Sequence, residues 1–163
     1  IVRSERASVL DNTMLDVNNP VRQPAAASYA GDIVPTEAWN ILCEDPRAVL
    51  VDVRTHAEWV FVGLPDLSAM GRRVVTVAWQ HYPQMARNPM FLEELKAAGV
   101  GFADPVVLLC RSGVRSKAAA EYLTQNGYTT CYNVSGGFEG QLDPVKHRGV
   151  GGWRAAGLPW VQS

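Results

Sequence analysis

Apolar residues in this chain gather into short saturated runs, separated by polar or glycine-rich stretches that carry helical spacing. Residues 48–53, 106–109 and 129–134 form such runs, and 74–77 (Val-Val-Thr-Val) forms a fourth. All are rich in β-branched residues and too short for helices, so they predict strands, most of them covered on both faces. Helix signals stand between them. Pro35 to Leu42 opens with proline and carries Glu37 in its first turn. Thr55-His56-Ala57-Glu58 has the form of a capping box and predicts a short helix through Trp59 and Phe61. Asn88-Pro89 starts a helix over Met90 to Ala98, closed by Gly99, and another runs from about Ser116 to Asn126 and stops at Gly127. Strands alternating with helices imply an α/β fold with a mostly parallel sheet and helices on both faces. In such sheets ligands bind beyond the carboxyl ends of the strands.

Residues 1–28 break this pattern. They mix charge with Asn18-Asn19-Pro20 and Pro24-Ala25-Ala26-Ala27, show no sustained period and lack the apolar core of a secretory signal. They predict a mobile N-terminal arm or linker, with a helical turn around Val9 to Leu15, ahead of a single domain over 29–163.

The run before Cys110 delivers that cysteine into a polar loop, Arg111-Ser112-Gly113-Val114-Arg115-Ser116, which feeds directly into the next helix. At a strand-to-helix turn, backbone N–H groups converge and the helix dipole is positive, which favours the thiolate, the nucleophilic form. Arg111 and Arg115 add positive charge suited to an anionic substrate. Such arginines are costly to bury, so they must face solvent or a ligand. The constellation points to nucleophilic sulfur chemistry on an anion. Cys43 and Cys131 read as packing residues. Three cysteines without metal-type spacing argue against a zinc site or disulfide framework and for a reducing, cytoplasmic setting. His56 belongs to the capping-box turn, His81 to the surface and His147 to a loop, so no Cys–His pair is expected. The formal net charge of −1 argues against general nucleic-acid binding, and no apolar run is long enough to cross a membrane.

Four segments together resemble the rhodanese-like sulfurtransferase family in its single-domain form: Asp52-Val53-Arg54 after a strand, Cys110 to Ser116, Ser135-Gly136-Gly137-Phe138, and the closing Gly152-Trp153 with Gly157-Leu158-Pro159-Trp160. The resemblance covers roughly Tyr29 to Trp160. It implies a three-layer fold with a central, mostly parallel five-stranded sheet. It also implies an enzyme that moves sulfane sulfur from an anionic donor such as thiosulfate to a nucleophilic acceptor, through a persulfide on Cys110 and without metal or other cofactor. Carried over, Cys110 is the sulfur-accepting nucleophile. Arg111, Ser112, Gly113, Val114, Arg115 and Ser116 form the loop around it, with main-chain N–H groups facing the sulfur and both arginines orienting the donor. Asp52 and Arg54 brace the loop by ion pairing and hydrogen bonds. The acceptor is a small nucleophile, or a thiol on a small molecule or protein.

The chain departs from that family's pattern twice. Val62-Gly63-Leu64-Pro65-Asp66-Leu67 stands where Gly-His-Ile-Pro-Gly-Ala is usual. An extra stretch, Glu139 to Gly152, either covers the pocket or hangs in solvent. Two rival readings remain at this level. One is a non-enzymatic binding or sensing module. The other is a cysteine-based phosphatase or arsenate reductase, whose Cys-x5-Arg ring is one residue longer than the Cys-x4-Arg here.

Overall fold

The computed structural model describes residues 28–163. The arm expected over residues 1–28, with its helical turn, lies outside the described residues apart from Ser28. Five parallel strands make the central sheet: β1 (Gly31–Ile33), β2 (Val49–Asp52), β4 (Val75–Thr76), β7 (Val106–Leu109) and β8 (Cys131–Val134), in the spatial order β1-β8-β7-β2-β4. Every neighbouring pair in it is parallel. β7 therefore lies in the middle, with β2 on one side and β8 on the other.

The saturated runs form strands because each side of the sheet is covered. Along β7, Val106, Leu108 and the following Cys110 pack into one core with Phe91, Leu95, Ala119 and Leu123. Val107 and Leu109 point into a second core with Ala38, Leu42, Val134, Phe138 and Trp153. This period of two, apolar on both sides, is how a buried parallel strand is written. Each fully buried Val or Leu contributes about 1.5–3 kcal/mol relative to exposure.

Helices α1 (Pro35–Glu44), α2 (His56–Phe61), α3 (Phe91–Ala97) and α4 (Val114–Gln125) follow the expected order. Proline heads α1 and the capping box at Thr55–Glu58 is formed. Two details differ from expectation. First, α4 begins at Val114 rather than about Ser116. Gly113, at φ 112°, turns the chain in a conformation glycine adopts readily, so the helix starts without a serine cap. Second, Cys43 is exposed rather than packed. On α1 it is Ala38 and Leu42, four residues apart, that face the core, and Cys43 is rotated about 100° away from Leu42.

The unusual connection after α2 is held by the chain's end. Strand β3 (Leu64–Pro65) pairs antiparallel with β11 (Trp160–Val161), and a single 3-10 turn at Ser68–Met70 closes on Gly71. Arg72 then donates to the carbonyls of Leu42, Asp45 and Ala48, satisfying the exit of α1. Trp153 is fully buried, with its indole N–H on Pro159 O at 2.8 Å.

Candidate active site

Cys110 is the first residue beyond the carboxyl end of β7. Its Sγ accepts the Gly113 N–H at 3.0 Å and lies 3.1 Å from Ser116 Oγ. Because α4 starts at Val114, the loop is a tight turn and Ser116, inside the helix, faces back onto the sulfur. Cys110 is only 1 % exposed, yet it reaches the floor of an open cleft of about 980 Å³.

The loop is fixed from behind by Ser135–Phe138. Phe138 N–H donates to Cys110 O at 2.8 Å and Glu139 N–H to Arg111 O at 2.9 Å. This approach requires glycine at 137. Its φ is 58°, and a Cβ there would stand 2.4 Å from Cys110 O. Asp52 and Arg54 are fully buried one strand away and pair with each other at 2.7 Å. Arg54 also donates to Gly63 O at 2.7 Å and lies over the Phe138 ring, 4.3 Å from its centre. The pair reaches the loop through Phe138 and makes no hydrogen bond to it among the described residues.

Arg111 and Arg115 play different parts. Arg111 is exposed on the cleft's rim. Arg115 also lines the cleft, but both its terminal nitrogens are taken by Glu58, at 2.7 and 2.9 Å. Burial opposes the charge on each partner. The hydrogen bonds and attraction between them outweigh it, holding Glu58 below the usual carboxylate range and Arg115 above its ordinary value. The Ser112 carbonyl accepts Gln141 Nε2 at 2.8 Å, and Val114, 77 % exposed, stands at the mouth. The extra stretch forms a small hairpin of β9 (Gln141–Leu142) and β10 (Arg148–Val150). Glu139, just ahead of it, and Arg148, whose guanidinium donates back to Gly140 O, line the cleft, while Val145 in its turn faces solvent. Both sequence alternatives therefore hold in part, with some of its side chains on the pocket rim and its turn in solvent.

The structure brings Cys110, Gly113, Ser116 and the two arginines to one place, and sets Asp52 and Arg54 behind them. Three further residues belong to this site. Glu58 was legible only as a capping residue, although its partner arginine could be read in the loop motif. Asn133, beside Ser116, is an amide at the end of an otherwise strand-like run, a position where asparagine is unusual. Gln141 carried no signal. Cys131 is buried, as expected, and burial pushes its thiol up to about 11.

A cysteine at the carboxyl end of a central parallel strand, cupped by the turn that opens the next helix, defines a rhodanese-like domain on this sheet. The chain belongs to that family. Residues 31–163 match the family model described as the STR4 middle domain. An uncharacterized protein of Rickettsia conorii is 37% identical over 129 residues, covering 79% of this chain and 95% of its own length. The thiosulfate sulfurtransferase GlpE of Actinobacillus pleuropneumoniae serotype 5b (strain L20) is 30% identical over 128 residues, 78% of this chain and 90% of that protein. Among solved structures, Rv0390 from M. tuberculosis is 56% identical with a TM-score of 0.77, over 83% of this chain and all of that one. The polysulfide-sulfur transferase homodimer from Wolinella succinogenes is 25% identical with a TM-score of 0.55, over 91% of this chain and 90% of that chain.

Proposed function

We propose that the protein is a sulfurtransferase that passes sulfane sulfur from a small anionic donor such as thiosulfate to a nucleophilic acceptor, carrying it as a persulfide on Cys110. One observation carries this reading: the Cys110 thiol sits at the cleft floor with a main-chain N–H at 3.0 Å and a hydroxyl at 3.1 Å. The amide can hold a developing sulfur anion as it stands, and the hydroxyl can do so once its proton turns to the sulfur. Relatives named as thiosulfate and polysulfide sulfurtransferases support it.

In the first half-reaction the Cys110 thiolate attacks the outer sulfur of thiosulfate. A new S–S bond forms, the donor's S–S bond breaks, and sulfite leaves with the bonding pair. In the second, the acceptor attacks the outer sulfur of the persulfide and Cys110 departs as thiolate. Splitting the transfer in two is covalent catalysis. Because the travelling sulfur rides on the protein's own cysteine, the cycle asks for no metal or organic cofactor. Exposed Arg111 meets the anionic donor first, since Glu58 occupies Arg115. The mouth is ringed by Phe61, Tyr82 and Val114, which are 79, 68 and 77 % exposed. That apolar rim suits a thiol carried on a larger body, including a protein, better than it suits a bare ion. All three cysteines are free, and no helix among the described residues is long and apolar enough to cross a membrane. A reducing, cytoplasmic setting fits a cysteine that must cycle through thiolate.

The test is intact-protein mass spectrometry after thiosulfate treatment. The wild-type protein gains about 32 Da, one sulfur atom, and cyanide removes it. Cys110→Ser gains nothing, while Cys43→Ser and Cys131→Ser behave as wild type. A wild-type mass that never changes with thiosulfate or polysulfide overturns the reading.

A further inference from the structure

Behind the nucleophile, Ser116 is tied to a chain of polar groups that sulfur transfer itself does not use. Ser116 Oγ lies 3.1 Å from Cys110 Sγ and 2.6 Å from Asn133 Oδ1. Asn133 Nδ2 donates to Asp32 Oδ1 at 3.0 Å, and the Tyr29 hydroxyl donates to the same oxygen at 2.7 Å. Ser116 is fully buried and Asn133 is 4 % exposed, whereas Asp32 reaches solvent. Asp32 and Asn133 are direct partners in the parallel pairing of β1 with β8, so the link is built into the sheet's register.

Donor and acceptor counting gives this chain a direction. The hydrogen bonds from Tyr29 and Asn133 hold the Asp32 carboxyl below its ordinary value, so it is ionised and only accepts. It therefore faces the amide nitrogen of Asn133, which turns the amide oxygen toward Ser116. An amide oxygen also only accepts, so it claims the single Ser116 proton, at a distance typical of a good O–H···O bond. Ser116 then shows Cys110 a lone pair. A thiol completes that arrangement by donating to Ser116. A thiolate completes it only if the Ser116 proton swings to sulfur and leaves the buried Asn133 oxygen without its partner.

We propose that Asp32, acting through Asn133, sets the direction of the Ser116 hydroxyl and so governs how readily Cys110 is held as a thiolate. Asp32 and Asn133 are positioning residues, while Ser116 is the group that meets the sulfur. The charged groups around this line are few. Lys117 and Glu121 of α4 face Asp32 and Tyr29 respectively. Arg115 faces Cys110 and is itself faced by Glu58 and Asp52. Exposed Arg111 lies beside Cys110 in the loop.

The inference rests on Cys110 being the nucleophile, but its test reads the thiol directly, whether or not sulfur is ever transferred. In Cys43→Ser protein, which lacks the exposed thiol, the pH profile of iodoacetamide alkylation at Cys110 is followed by peptide mass spectrometry. Asn133→Leu and Asp32→Ala each release the Ser116 proton to the sulfur. Each is expected to move the profile's midpoint down by about one pH unit, the size of one hydrogen bond to a charged group. In a Ser116→Ala background both shifts are expected to vanish. Asn133→Leu keeps the Asp32 charge, so a shift seen only in Asp32→Ala marks a direct charge effect and overturns the proposal. A shift that persists in Ser116→Ala, or no shift in either variant, overturns it too. Should Asn133→Leu fail to fold, Asp32→Ala with and without Ser116→Ala decides alone.

Discussion

Glu58 holds two structures together at once. Its carboxylate closes the capping box with Thr55 and also takes both nitrogens of Arg115 from the facing helix. Glutamine is equally able to cap at this position, so Glu58→Gln keeps α2 while removing the charge that occupies Arg115. If donor capture is limited by that occupation, Glu58→Gln raises kcat/KM for thiosulfate several-fold, mainly through KM. Steady-state thiosulfate:cyanide kinetics check this, and an unchanged KM removes Arg115 from donor binding. At this scale the nucleophile was legible in the sequence, because a cysteine followed by two arginines at a strand end has few structural explanations. The Glu58–Arg115 pair was not, since 57 positions separate its members and only the fold makes them neighbours. The same holds for Asn133, whose meaning depends on which strand lies beside it.

At the level of elements, the cysteine loop is positioned by the strand that delivers it and the turn that backs it. Leu108 is fully buried in the centre of the middle strand. Leu108→Ala is expected to cost about 2–5 kcal/mol of unfolding free energy in urea titrations while persulfide still forms in the folded fraction. Gly137→Ala is different in kind. The new methyl group collides with the backbone of Cys110 and Arg111, so the loop itself must shift. Persulfide yield should fall sharply even where circular dichroism reports a folded protein, and full yield would show that the loop tolerates displacement. Four strands of the central sheet and helices α1, α3 and α4 were legible because each buries enough to need a clear apolar pattern. Helix α2, which buries no residue, was legible from its capping box, and β1, three residues with one buried side chain, carries no such signal. Helix α4 starts two residues before the position the sequence suggests, because the turn at Gly113 that opens it leaves no mark in the apolar pattern. The two-residue strands outside the central sheet, such as β5 (Gln80–His81) with β6 (Ala86–Arg87), are too short to carry a period.

Across the whole molecule, two carboxylates tie separate elements together near the cleft. Asp32 joins β1 to β8, and Glu58 joins α2 to α4. Both are held below their ordinary values, 3.8 for Asp32 and 4.5 for Glu58. A carboxyl depressed in the folded state binds its proton more readily when unfolded, so its stabilisation is whole above the unfolded value and drains away as pH falls through the folded one. Glu58 has the higher unfolded value and begins to lose its contribution first, from about pH 4.5 downward, followed by Asp32 below about 3.8. Unfolding free energy from urea titrations should therefore hold steady down to that point and then decline. In Glu58→Gln the first part of the decline disappears, because glutamine has no proton to bind, and the curve breaks only at the lower pH set by Asp32. Identical acid limbs in the two proteins would mean that the Arg115–Glu58 pair shapes the cleft without holding the helices together. The cleft and the fold would then answer to acid through different groups.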